Sequence, residues 1–264
     1  MTSPALRAAS GIGHRLIDLR IVDTQTAQAW LEDDFHHFGV TIEHRNHQVT
    51  AVHMQHPRTP WTTCPGAAQP LQALVGKTLI RRSSDIGQLI DMRLQCTHVF
   101  DLTGLLLAHI AKASERKPHR RYLTVIPDRP FIGTLPQLSS FGKGSATLLL
   151  DDQAVMHWQI EGDRIIGEPP YGGHSQNEGF REWTEAMPED EAEYATILRR
   201  AILVAGGRNL DHDYYPNAAA MGVPAVCHSF QPEQRQQAAR IYGSTYNYTK
   251  NPQDMLSNVV NIEP

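Results

Sequence analysis

Cysteine is scarce in this sequence: three residues in 264, at Cys64, Cys96 and Cys227, separated by long stretches. An odd number excludes a fully paired disulfide framework, and the usage fits a reducing cytoplasm. Also missing is any apolar run near the ~20 residues that span a bilayer, which argues against a transmembrane helix and a membrane partner. The opening Met-Thr-Ser-Pro-Ala-Leu-Arg has no secretory apolar segment, so a cytoplasmic location is expected.

Positive charge is short as well. Lys and Arg number 24 against 28 Asp and Glu, for a net charge of −4 and a pI near 6.4. Nucleic-acid binding calls for a basic surface, so that class is set aside, and Lys117, Arg120 and Arg121 read as a solvated loop. Neither Gly11-Ile-Gly13 nor Gly206-Gly207 has the spacing of a phosphate loop, so no nucleotide cofactor is expected. The usual metal signatures, Cys-x-x-Cys and His-Glu-x-x-His, are absent, so no bound metal is expected either.

What the sequence does hold is imidazole: fourteen histidines against eight tyrosines and seven phenylalanines. With 41% hydrophobic and 20% charged residues the composition is that of a globular protein. The apolar pattern predicts an α+β fold of two antiparallel strand meanders, each followed by helices. The first meander takes Arg15 to Val22 and two runs between Ala29 and Val52, broken at His44 to His47. The second takes Ala146 to Leu150, Ala154 to Ile160 and Arg164 to Ile166.

Helices are expected from Thr63-Cys64-Pro65 to Gly76, from about Thr97 to Ala113, from Glu189 to Val204, and from Gln231 to about Tyr242. Residues 117–144, in which one apolar run, Tyr122 to Ile126, lies among proline, glycine and serine residues, read as a linker. The chain is expected to be a single compact domain, or two similar halves at about 15–116 and 145–250 if the likeness between Leu31-Glu-Asp33-Asp34 and Leu149-Leu-Asp151-Asp152 marks a duplication.

The candidate site follows from where the cysteines fall. All three precede expected helix starts, where unpaired N–H groups and the helix dipole favour a thiolate, so Cys64 is expected to be more reactive than an ordinary thiol. Two stand beside histidine, in Cys96-Thr97-His98 and Cys227-His228. Asp101 is expected in the first turn of the second helix. In Asp33-Asp34-Phe35-His36-His37-Phe38, read as a strand, alternate residues share a face, so Asp34 and His36 are paired as site candidates and Asp33 is read as exposed. His109, on the apolar face of its helix, is read as a hydrogen-bonded core residue.

Five strings, Leu31-Glu-Asp-Asp-Phe-His-His-Phe, Pro60-Trp-Thr-Thr-Cys-Pro-Gly-Ala, Leu71-Gln-Ala-Leu-Val-Gly, Gln95-Cys-Thr-His-Val-Phe-Asp-Leu and Val226-Cys-His-Ser-Phe-Gln-Pro, together resemble the domain-of-unknown-function 2889 family of bacterial proteins, over about Arg15 to Thr249. The resemblance brings no established activity. It implies that the cysteine-containing strings belong to the family's pattern, which strengthens them as a site without naming a reaction.

The residues then suggest a lyase or isomerase of the hydratase or dehydratase type, using Cys64, Cys96, His98, Cys227, His228, His36, Asp34 and Asp101 on a largely apolar small molecule in a catabolic route. No cofactor is expected in this reading, and a homo-oligomer is compatible with it. The alternatives are a zinc- or iron-dependent hydrolase and a non-catalytic binding or accessory protein.

Overall fold

The computed structural model describes Leu6, residues 10–133 and residues 138–259, with the Leu138 side chain outside it. Of the opening residues read above for a leader only Leu6 is described, and residues 134–137 of the expected linker lie outside the described residues. Eight strands are hydrogen-bonded in the order β4-β3-β2-β1-β5-β6-β7-β8, with several helices, which makes the fold α+β. The strands are β1 (Ile12–Ile21), β2 (Thr26–Asp33), β3 (His37–Arg45), β4 (Gln48–Arg58), β5 (His119–Pro127), β6 (Gly144–Leu150), β7 (Gln153–Glu161) and β8 (Arg164–Ile166), and the α-helices α1 (Ala68–Leu71), α2 (Ile86–Leu89), α3 (Thr97–Ala111), α4 (Phe180–Glu185) and α5 (Glu189–Gly206). Among the described residues no helix is long and apolar enough to cross a membrane.

Contacts divide the chain into two compact units: the described residues of Met1–Arg15, Tyr122–His212 and Asn247–Asp254, and those of Leu16–Arg121, Asp213–Tyr246 and Met255–Pro264. In the first unit β6, β7 and β8 form the expected second meander, and α5 (Glu189–Gly206) packs against β6 and β7. Glu189, Asp190 and Glu191 fill the first turn of α5, where carboxylates complement the helix dipole. Residues 119–127 are strand β5, not linker, because Tyr122, Thr124 and Ile126 alternate onto a buried face.

The second unit carries the site. Its meander has one more turn than the sequence pattern suggested. β3 and β4 do turn at Asn46 and His47, both with positive φ, but a further turn at residues 34–36 separates β2 from β3. The β2–β3 hairpin is in register from Thr26↔Glu43 to Glu32↔His37. Trp30 lies opposite Gly39, where a Cβ would come within 2.6 Å of the indole, so only glycine leaves room for the ring. On β4 the register shifts beside His37, and Arg58, the last residue of the strand, pairs with His37 at the foot of the turn.

The helix α3 (Thr97–Ala111) is apolar nearly all round and packs against β2 and β3. Leu102, Leu106 and Leu107 on α3, and Leu31, Phe38 and Ile42 on the strands, are fully buried. Each such side chain contributes about 1.5–3 kcal/mol by leaving water. His109, also fully buried, behaves as expected: its Nε2–H donates to the Pro118 carbonyl at 3.1 Å.

Two expected helices take other forms. The segment after Thr63 is a 3-10 turn (Cys64–Ala67), a single α turn α1 (Ala68–Leu71) and another 3-10 turn (Gln72–Leu74). Pro65 and Pro70 lie five residues apart, and Pro70 has no N–H to give to a longer α-helical ladder. After Cys227 there is only a 3-10 turn at His228–Phe230, and residues 231–242 hold turns. There the backbone is used across the fold: Arg235 O accepts from Ala219 N, Ala238 O from Ala218 N, and Ala239 O from Thr62 N. These bonds take carbonyls that a helix would need.

Candidate functional site

The centre of the site is the turn between β2 and β3. Asp33 is almost fully buried, and its Oδ1 accepts the backbone N–H groups of Phe35 and His36, each at 2.9 Å, while Asp33 N donates to His36 O. This is an Asx-type turn, in which a short carboxylate side chain organises the residues just after it. The same Oδ1 lies 2.9 Å from His36 Nδ1. A carboxylate only accepts, so Nδ1 carries the proton and Asp33 fixes the tautomer and orientation of the ring. The sequence reading paired Asp34 with His36 on one strand face. The turn overrides that alternation, and Asp33, read as exposed, is the partner.

His98 comes from the first turn of α3. Its ring stacks on His36 with centroids 3.8 Å apart and an interplanar angle of 28°. Phe38 lies beside both rings, at 5.8 Å from His36 and 6.4 Å from His98, and supplies an apolar wall. Cys96, the N-cap residue of α3, places its Sγ 3.9 Å from His98 Nδ1. Each imidazole therefore has a neighbour at its Nδ1, a carboxylate for His36 and a sulfur for His98.

The remaining cysteines approach the same region. The neighbouring Cys96 bears on Cys64, and the Thr63 hydroxyl donates to Ser229 Oγ at 2.9 Å, which in turn lies 3.4 Å from Cys64 Sγ. The backbone of Cys227-His228 lies along residues 94–96: His228 N donates to Gln95 O at 2.9 Å and His228 Nδ1 to Leu94 O at 3.2 Å. A Cβ on Gly66 would come within 2.8 Å of His228 Nε2, so the 3-10 turn after Cys64 passes directly under that ring. The segments bearing Cys64, Cys96 and Cys227 thus meet.

Two expectations change. Cys64 is not an activated thiol: burial pushes it up to about 12, and Cys96 adds to the shift, against the lowering effects of Ser229, Trp61 and Arg240. A short 3-10 turn beneath buried side chains gives no dipole large enough to offset that desolvation. Asp101 sits in the second turn of α3, and the first turn holds no acidic residue. Asp34 is buried and enters the site through its backbone, its carbonyl accepting from Tyr246 N at 2.7 Å and Arg58 Nη1 at 3.0 Å.

Arg58 and His37 were not anticipated. Arg58 Nη2 lies 3.1 Å from Glu32 Oε1, and His37 Nδ1 lies 3.6 Å from the same oxygen. Burial holds His37 below its ordinary pKa, opposed by Glu32 and reinforced by Arg58. The signal that would have found the turn is the Asp-x-x-His spacing at its start, since Asp three residues before a polar N–H is the Asx pattern. Asp33, His36 and His98 each also offer one ligand atom within 4.8 Å of the others, the one such cluster found among the described residues.

The fold and the site define an α+β protein whose second unit gathers two stacked histidines, a buried carboxylate and two buried cysteines. Its residues 11–112 match the family described as Protein of unknown function (DUF2889). The matched part contains Asp33, His36, Cys64, Cys96 and His98. It stops short of the Cys227 string and covers less than the extent the sequence resemblance suggested. No curated protein matches the chain.

Proposed function

We propose that this chain is a lyase or isomerase that moves protons on a largely apolar small molecule in the cytoplasm, with His36 and His98 as the proton-transferring pair. The observation that carries the reading is the stacked pair with Asp33 at His36 Nδ1. Asp33 directs His36 to act through Nε2, as the orienting carboxylate does in many general bases. The stack sets the two rings side by side at 3.8 Å, so that one can accept a proton while the other donates one. His36 then takes a proton from carbon, and His98 gives one to the departing or rearranging group. The three cysteines, none of them in a disulfide, suit a reducing compartment.

The test needs no known substrate. The protein is incubated in D2O with a panel of carbonyl and unsaturated compounds, and deuterium at carbon is followed by mass spectrometry. Incorporation that disappears in both His36→Ala and His98→Ala supports the reading. Incorporation that persists in both variants, or its absence across the panel, overturns it.

A second reading is a metal-dependent hydrolase, favoured by the convergence of Asp33, His36 and His98. Against it, Asp33 Oδ1 is already engaged by three donors and the two rings lie face to face. Elemental analysis of protein purified without chelator separates the two readings. Stoichiometric zinc or iron that is lost in His98→Ala selects the hydrolase.

A further inference from the structure

We propose that Arg58 is the positioning residue of this site: its buried guanidinium holds the Asp33–His36 turn in the shape that presses His36 against His98. The inference rests on reading those two histidines as the working pair. Nη1 donates to Asp34 O at 3.0 Å and to Ser244 O at 2.9 Å. Nη2 donates to Asp33 O at 2.6 Å and faces Glu32 Oε1 at 3.1 Å and His36 O at 3.3 Å. One planar group thus gathers carbonyls from Asp33, Asp34 and His36, all within the turn that carries the dyad.

These carbonyls point inward because Asp33 Oδ1 draws the turn's N–H groups to the other side. An inward cluster of carbonyls without a donor would be costly, and a rigid fork of donors is what matches it. Glu32 balances the buried charge, and its second oxygen accepts from Leu256 N at 2.7 Å. The Tyr246 ring covers the guanidinium, with the Arg58 Cζ 4.1 Å from its centroid. Tyr246 is itself held in place by its N–H to Asp34 O. A second buried arginine, Arg240, fixes the segment before it, donating to Ser244 Oγ at 2.9 Å and Thr245 Oγ1 at 2.8 Å.

Lysine keeps the charge, but its single ammonium cannot reach both sets of acceptors that the fork spans. Arg58→Lys should therefore fold and yet release the dyad. The experiment uses the full chain labelled with 15N in histidine and arginine and reads the tautomer of His36, the ring-current shift between His36 and His98, and the Arg58 guanidinium by NMR. In the wild type His36 shows one tautomer, protonated at Nδ1, and the arginine Nη protons of Arg58 are distinct and slow to rotate. In Arg58→Lys the single tautomer and the ring-current shift are lost. In Arg58→Ala they are lost and return on addition of guanidinium.

Retention of both signatures in a folded Arg58→Lys overturns the proposal. So does free rotation of the Arg58 guanidinium in the wild type, a measurement that requires no variant to fold. Because none of these readouts involves a reaction, failure here leaves the deuterium test of the histidine pair intact, and failure there leaves this test intact.

Discussion

His36 and His98 stack at 3.8 Å although one belongs to a strand turn and the other to the start of α3. Both rings are only partly buried, whereas Leu31, Phe38 and Leu102 are fully buried in the interior of the unit. A part-exposed, oriented pair of imidazoles costs the protein packing that two apolar residues would supply. Replacing either ring by alanine should leave the thermal midpoint within a few degrees of wild type while lowering turnover by ~10²–10⁴-fold. The double variant should lose little more than the worse single one, because the two act as a unit. Calorimetry and the deuterium assay together check this.

Asp33→Asn separates the two duties of Asp33. The amide oxygen can still accept the Phe35 and His36 N–H groups, so the turn should persist. The neutral amide no longer stabilises a charged His36 or enforces its tautomer as strongly. Turnover should fall by ~10-fold or more, with a stability loss of about 1 kcal/mol, the size of one altered hydrogen-bond partner. Unchanged turnover in a folded Asp33→Asn would remove Asp33 from the mechanism.

The strands of both meanders, α3, α5 and the core role of His109 were legible in the sequence, because each rests on local periodicity or on a cap that residues nearby supply. Cys96 before Thr97 is of this kind. The site's wiring was not legible. Asp33-Asp34-Phe35-His36 alternates well enough for a strand, and only the pairing of Glu32 with His37 shows that the chain reverses there. Arg58 gave no signal because most of its partners are backbone carbonyls, which every residue has. The expected helix after Gln231 failed for a related reason: Ala238 and Arg235 look helical in isolation, and their carbonyls are taken by Ala218 and Ala219. Cys64 was misjudged because a position before proline says where a turn begins and nothing about the desolvation around its sulfur.

Cys64 should therefore be the slowest of the three thiols to alkylate. At pH 8 a thiol held near 12 is ionised to about one part in ten thousand, against roughly a quarter for an ordinary cysteine. Cys227, the least buried of the three, should label first with iodoacetamide, and Cys64 only after denaturant is added. Mass-spectrometric mapping of a time course decides this, and early labelling of Cys64 in the native protein would contradict the burial seen here.

The last prediction concerns acid stability and His109. Burial lowers its pKa to about 4 from 6.5, opposed by the hydrogen bond to Pro118 O. The folded state thus stays unprotonated at Nδ1 while the unfolded chain takes up a proton below 6.5. Protons bind more readily to the unfolded state in that window, so stability is full above about pH 6.5 and falls as pH drops toward 4, where the loss levels off. The group's share of the loss is on the order of 3 kcal/mol. His109→Gln keeps a donor for the Pro118 carbonyl but does not titrate. It should be somewhat less stable than wild type at pH 7.5, through poorer packing, and should show a flatter stability curve between pH 6.5 and 4. Urea unfolding across that range measures both curves. If they run parallel, the acid sensitivity of this fold arises elsewhere and His109 titrates alike in the folded and unfolded chains.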